Sequence, residues 1–460
     1  MYLEQLYTGC LAEAAYYIES EGEAAIIDPI RETEPYIKLA KSRNAKIKYI
    51  FETHFHADFV SGHIDLAAKT GAGIIYGPGA TTAYEAYNAK DGEEFNLGKL
   101  KFKVLHTPGH TPESSCYLLF NETGKEHALF TGDTLFINDV GRPDLLDGVM
   151  TKEELAGMLY ESLNNKIKVL PDNVLVYPAH GPGSACGKNI GTERHSTIGE
   201  QRKTNYALQP MSKDEFIKKV TDGILPPPSY FFEDARINKL GYIPLDEVFE
   251  GSLKSLSLDN FRNSITENTV ILDTRKPNTF EKGFIPNSIN IGLDGEYAVW
   301  VGTLIDIKKP ILLVTGKGKE RESVLRLARV GYENVLGYLG GGFDTWKKAG
   351  LNFETVKSIQ PWKMRTGSEW EILDVRRPGE YKISHIDCAK HFPLGDIMKL
   401  AREKDPQKTY MIYCEGGYRS MIASSILKKM GFANIINIYG GFSRIRLLNF
   451  NLGVTKEISA

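Results

Sequence analysis

The stretch Thr53-His54-Phe55-His56-Ala57-Asp58-Phe59 packs two histidines and an acid into five positions, directly behind the apolar run Ile47-Lys48-Tyr49-Ile50-Phe51. A strand that ends in His-x-His-x-Asp delivers imidazole and carboxylate groups into one small volume at a sheet edge, and such donors suit Zn, Fe or Mn. Further groups extend the set: Asp28 in Ile26-Ile27-Asp28-Pro29, His110 in Thr107-Pro108-Gly109-His110-Thr111, Asp133 in Thr131-Gly132-Asp133-Thr134, and His180 in Pro178-Ala179-His180-Gly181. Each follows a strand-like run, and Gly or Pro beside it lets the backbone turn sharply and present the side chain. Taken singly, each reads as a solvated loop residue or turn cap. Taken together and in this order, they point to a metal site.

A second chemistry lies near the other end. Cys414-Glu415-Gly416-Gly417-Tyr418-Arg419-Ser420 follows the strand-like Tyr410-Met411-Ile412-Tyr413 and precedes a helical run from Met421 to Met430. Two glycines let successive N–H groups curl around the Cys414 sulfur at the positive end of the next helix, and Arg419 adds a full charge. Such a cradle stabilises a thiolate or persulfide anion, so Cys414 is expected to be a nucleophile. A buried packing cysteine would need neither the glycines nor the arginine. Cys186, in Gly183-Ser184-Ala185-Cys186-Gly187-Lys188, lies six residues after His180. With Lys188 beside it, it is a candidate for holding or relaying sulfur, against a bland loop thiol. Cys10, Cys116 and Cys388 sit in strand-like or apolar surroundings and are expected to pack.

The elements that must position these groups are readable from hydrophobic periodicity. Strand-like runs cover Tyr16-Ile18, Ala24-Ile27, Ile47-Phe51, Gly73-Tyr76, Leu100-Leu105, Cys116-Phe120, Ala128-Thr131 and Val174-Tyr177. The candidate ligands follow them, which places the ligands on loops at one edge of a scaffold. The run Leu225-Pro226-Pro227-Pro228 predicts a stiff extended linker, with the segment from 231 to about 255 connecting it to the next unit. Beyond it the chain repeats: Val270-Ile271-Leu272-Asp273-Thr274-Arg275 returns as Glu371-Ile372-Leu373-Asp374-Val375-Arg376, and Gly341-Gly342-Phe343 as Gly440-Gly441-Phe442. Each copy of roughly 100 residues reads as a small α/β domain with a parallel sheet. Three domains are therefore expected, at 1–230, 231–356 and 357–460.

The 460 residues are 42% hydrophobic and 25% charged, ordinary for a globular chain, and the net charge of -2 gives no footprint for a nucleic-acid partner. Five cysteines, odd in number and without a Cys-x-x-Cys pair, read as free thiols in a reducing compartment. No basic n-region opens the chain and no apolar run approaches a membrane span, so a cytoplasmic protein without a membrane partner is expected. A homo-oligomer is expected as well.

The ordered ligand motifs resemble the metallo-β-lactamase superfamily over residues 1 to about 205, which implies an αββα sandwich. In dinuclear members a histidine directly follows the motif Asp and helps hold a second metal; here Phe59 stands there, and a phenyl ring cannot coordinate. With Gly132-Asp133-Thr134-Leu135-Phe136 and Gly141-Arg142-Pro143-Asp144, the motifs resemble the persulfide dioxygenases, although many of these keep a histidine at the Phe59 position. The His-Ala-Asp-Phe version resembles the subgroup fused to rhodanese domains. This resemblance implies one Fe(II) per chain on His54, His110 and Asp133, with Zn as the alternative. It leaves His56, Asp58 and His180 behind the ligands, orienting them and water, or as remnants of a second metal site.

Residues 357–460, with Cys-x4-Arg-Ser, Asp374-x-Arg376 and Ser384-His385-Ile386, resemble the rhodanese family. That implies that Cys414 carries sulfane sulfur, with Arg419 and the loop Glu415, Gly416, Gly417, Tyr418 and Ser420 cradling the anion. The first copy has no cysteine between Asn260 and Lys357 and reads Val314-Thr315-Gly316-Lys317-Gly318-Lys319-Glu320-Arg321 at the loop, so it resembles a degenerate rhodanese module. The resemblances imply oxidation of small persulfides with O2 to sulfite and thiol, coupled to sulfur transfer giving thiosulfate, in sulfide detoxification. The rivals are a thioester hydrolase resembling glyoxalase II and a non-catalytic sulfur or redox sensor.

Overall fold

The computed structural model describes residues 1–145, 150–224, 226–364, 370–448 and 454–456. It divides into two compact units, one of Met1–Val248 with Ala328–Gly331, the other of Phe249–Leu327 with Tyr332–Ala460.

In the first unit the alternating runs pair into two six-stranded sheets. One runs in the order Tyr2–Thr8, Glu13–Ser20, Glu23–Ile27, Lys46–Glu52, Gly73–Tyr76, Tyr87–Asn88; the other runs Ser196–Thr197, Leu175–Pro178, Glu126–Gly132, Ser115–Phe120, Leu100–His106, Glu94–Leu97. The strand Leu100–His106 shows why they stack: Leu100, Phe102 and Val104 are buried while Lys101, Lys103 and Leu105 between them are only partly so, which is the period of two that a one-sided strand requires. Tyr16, Phe51, Phe102, Tyr117 and Phe130 fill the space between the sheets. Helices such as Lys152–Ser162 and Lys213–Thr221 cover the outer face of the second sheet with Ala156, Leu159, Phe216 and Val220. The result is the αββα sandwich, with every ligand-bearing turn at a strand end.

The segment after the prolines departs from the expected linker. Phe231–Leu240 is an α-helix whose Phe231, Asp234 and Asn238 are buried. The Asn238 amide donates to His56 O at 2.7 Å and Phe59 O at 2.8 Å, and its oxygen accepts Ser61 N–H at 2.9 Å. The helix therefore belongs to the first unit, and the expected boundary at 230/231 moves to about 248. Pro226-Pro227-Pro228 carry no helix or strand, as their missing N–H groups require, and Leu225 lies outside the described residues.

The second unit holds the repeat as two parallel five-stranded sheets of identical order. The first is Ser255–Leu256, Val335–Leu339, Ile311–Val314, Val270–Asp273, Ile289–Asn290; the second is Lys357–Ile359, Ile435–Ile438, Thr409–Tyr413, Trp370–Asp374, Lys390–His391. The two copies share a small apolar cluster of Phe280, Phe284, Val356 and Met421.

Candidate functional site

Three buried side chains from separate strand ends converge in the first unit. The ligand atoms of His54, His110 and Asp133 all lie within 4.8 Å of one another. Asp133 Oδ2 is 3.4 Å from His110 Nε2 and 3.9 Å from His54 Nε2, yet none of these three atoms has a hydrogen-bond partner. Buried polar atoms are almost always paired, so three orphans facing one point fit a divalent cation. The other side of each group fixes it in that role. Thr53 Oγ1 donates to Asp28 Oδ2 at 2.8 Å and so accepts from His54 Nδ1 at 3.0 Å, while His110 Nδ1 donates to Arg142 O at 2.8 Å. Both protons sit on Nδ1, leaving both Nε2 lone pairs for the metal. Burial, with His56 beside it, holds the His54 pKa well below its ordinary value and keeps the ring neutral. For Asp133, burial pushes upward, but His180, by its charge and its hydrogen bond, outweighs it and holds the carboxyl well below the usual range.

Two glycines make the convergence possible. A Cβ on Gly132, at φ +51, would sit 2.5 Å from Thr53 Oγ1, and one on Gly141 would fall on Asp133 O. Asp28 adopts φ +48, a left-handed backbone that a non-glycine residue rarely takes, and both of its oxygens accept from Thr53.

The remaining motif residues fall into two further groups. His180 Nδ1 donates to Asp133 Oδ1 at 2.7 Å, and its Nε2 lies 2.8 Å from Asp58 Oδ2. Burial alone would lower its pKa, but the two carboxylates raise it well above the usual value. Cys186 joins Asp58 and His180 in one buried cluster. His56 is turned from the trio toward Asp28, at 3.1 Å from Oδ1, with Glu52 at 3.8 Å. Phe59 is fully buried, its ring 4.3 Å from the His56 ring centre. The expected influence of Lys188 on Cys186 is absent: the Lys188 ammonium donates to the Lys219 and Asp222 carbonyls, and burial pushes the Cys186 thiol well up. Asn238, which pins the His56–Ser61 backbone, had no signal in the sequence around the motif.

In the second unit, Cys414 ends the strand Thr409–Tyr413 and is buried. Its sulfur accepts the Gly417 N–H at 3.1 Å, with Gly417 at φ +105 as the turn requires. Ser420 Oγ lies 3.7 Å from the sulfur and donates to Asn437 Oδ1 at 2.7 Å. The loop is backed by the repeated Gly-Gly-Phe: Phe442 N–H donates to Cys414 O, and a Cβ on Gly441 would collide with that carbonyl. Gly416 has open space where a Cβ would stand. Glu415 accepts from Ser443 Oγ, Tyr418 donates to Gly292 O of the first copy at 2.8 Å, and Arg419 pairs with Glu380. Cys388, expected to pack, is exposed, whereas Cys116 is buried and its thiol pushed up to about 11.

Comparison with known proteins matches the Metallo-beta-lactamase superfamily model to residues 8–180 and the Rhodanese-like domain model to residues 257–349 and 360–447. The probable hydroxyacylglutathione hydrolase glo2 of Schizosaccharomyces pombe is 31% identical over 205 residues, 39% of this chain and 75% of that protein. The mitochondrial persulfide dioxygenase ETHE1 of Homo sapiens is 32% identical over 217 residues, 45% of this chain and 74% of that protein. The crystal structure of a metallo-beta-lactamase from Staphylococcus aureus subsp. aureus COL superposes with a TM-score of 0.67 at 32% identity, covering 73% of this chain and 98% of that one.

Proposed function

We propose, for a chain that belongs to the metallo-β-lactamase superfamily and carries two rhodanese-like domains, the function of a persulfide dioxygenase–sulfurtransferase. The observation that carries this reading is the ligand set. Phe59 cannot coordinate and His56 lies against Asp28 and Glu52, while His54 Nε2, His110 Nε2 and Asp133 Oδ2 converge unpartnered as two imidazoles and one carboxylate, the donor set of non-haem Fe(II) oxygenases. Iron on His54, His110 and Asp133 would supply activation of dioxygen and of the substrate sulfur. The protein's own part is to hold the two Nδ1 protons on Thr53 and Arg142 O so that each Nε2 faces the site, and to hold Asp133 ionised beside His180. Overall, R–S–SH, O2 and water give R–SH, sulfite and two protons, four electrons passing from the terminal sulfur to dioxygen.

At the second site, the Cys414 thiolate attacks the outer sulfur of a persulfide, the S–S bond breaks, and R–S⁻ leaves. In the resulting Cys414 persulfide, the inner sulfur is the atom that the Gly417 N–H reaches. Sulfite then takes the outer sulfur, thiosulfate departs, and the thiolate returns with no net redox change. The cysteine-less copy cannot do this step and serves as a partner for the loop through Gly292.

Similarity to the glo2 hydrolase favours a second reading, thioester hydrolysis by a zinc-bound hydroxide. Protein purified anaerobically and loaded with Fe(II) decides between them. Oxygen uptake with glutathione persulfide, matched by sulfite, is expected; hydrolysis of a glutathione thioester by the zinc form, with no uptake in the iron form, refutes the dioxygenase.

A further inference from the structure

The guanidinium that the loop motif offers to the Cys414 sulfur is already occupied. Arg419 Nη1 donates to Glu380 Oε2 at 2.5 Å and Nη2 to Glu380 Oε1 at 2.7 Å, a two-pronged pair with side chains 14% and 31% exposed. Glu380 is itself anchored, because Oε2 also accepts Arg377 N–H at 2.9 Å at the start of the helix Pro378–Ile383. The other charges linked to the cradle are paired too. Arg376 forks onto Asp374 and reaches Glu415 at 3.3 Å, Arg446 stands 3.9 Å from Glu415, and Arg377 meets Glu296 at 2.8 Å. Among the described residues, four guanidinium groups are thus matched by four carboxylates, and these pairs leave no surplus positive charge before the thiolate is counted.

A dianionic oxyanion needs that charge, whereas the singly charged outer sulfur of a persulfide asks less of it, in a loop where the Gly417 N–H already reaches Cys414 Sγ. Resting on the sulfur-transfer reading of Cys414, we propose that Glu380 is a specificity-determining residue. Its carboxylate competes with sulfite and thiosulfate for Arg419, so the site disfavours dianionic donors relative to organic persulfides and lets thiosulfate go once it has formed.

Glu380→Gln in the full-length holoprotein keeps an acceptor for Arg419 and Arg377 N–H but removes the charge. Alkylation by anionic iodoacetate and by neutral iodoacetamide is followed at the Cys414 peptide by mass spectrometry, since the exposed Cys388 also reacts. The iodoacetate-to-iodoacetamide rate ratio is expected to rise by at least about threefold over the wild type, the gain shrinking with added salt, and the KM for thiosulfate to fall. A role in loop structure alone would move both rates together. An unchanged or lower ratio at a reactive Cys414 overturns the proposal. So does an equal rise in Glu380→Asp, which keeps the charge. A Cys414 inert to both reagents overturns the sulfur-transfer reading and this proposal with it.

Discussion

Asp133 gives each of its oxygens a separate task. Oδ2 faces the two Nε2 lone pairs, and Oδ1 accepts from His180 Nδ1, which fixes the rotation of the carboxylate about its own bond. Removing His180 frees that rotation and leaves Oδ1 unpaired in a buried site, without deleting any of the three ligand atoms. Loss of such an outer partner typically costs 10–100-fold in metal affinity. His180→Ala is therefore expected to retain iron about 10–100-fold less well in competition with a chelator, while thiosulfate–thiol sulfur exchange at Cys414 persists. Iron retention equal to that of the wild type would show that Asp133 is oriented by something else.

The helix Phe231–Leu240 does at the level of an element what His180 does for one side chain. Asn238 is buried and satisfies two carbonyls and one N–H of the loop between the motif histidine and Ser61. Each buried group left unsatisfied costs about 1–3 kcal/mol. Asn238→Leu is thus expected to destabilise the first unit by about 3 kcal/mol or more, seen as a lower-temperature transition in calorimetry, and to loosen the turn bearing His56 and Asp58. An unaltered transition would mean the loop keeps its shape without the helix. The strands and the ligand-bearing turns were legible because period-two patterning, the His-x-His-x-Asp run and a Gly or Pro beside Asp28, His110, Asp133 and His180 are local signals, as at Leu100–His106 and Gly132-Asp133. This helix was not, because Asn238 acts on Phe59 across 179 positions of chain and three prolines stood where a linker would. The same applies to Arg419, whose motif announced a free charge but whose partner Glu380 lies 39 residues upstream. Lys188 likewise sits beside Cys186 in sequence while its ammonium is held by carbonyls elsewhere.

At the scale of the whole chain, the two candidate sites use disjoint residues in separate compact units, and the proposed function joins them by a substance rather than a shared group. In that proposal sulfite made at the first site is the acceptor at the second, and it is a small dianion that water solvates well. Tethering the two sites raises the effective concentration of that intermediate but creates no obligatory contact. His110→Ala is expected to lose oxygen uptake with persulfide and keep sulfur exchange, and Cys414→Ser to do the reverse. Neither alone forms thiosulfate from persulfide and air, once the uncatalysed reaction of sulfite with persulfide is subtracted. An equal mixture of the two is expected to restore thiosulfate formation, at a rate per enzyme that falls on dilution where that of the wild type holds. Thiosulfate at the wild-type yield from Cys414→Ser alone would break the division of labour, and a mixture that makes sulfite but no thiosulfate would show that the intermediate never leaves the chain that made it.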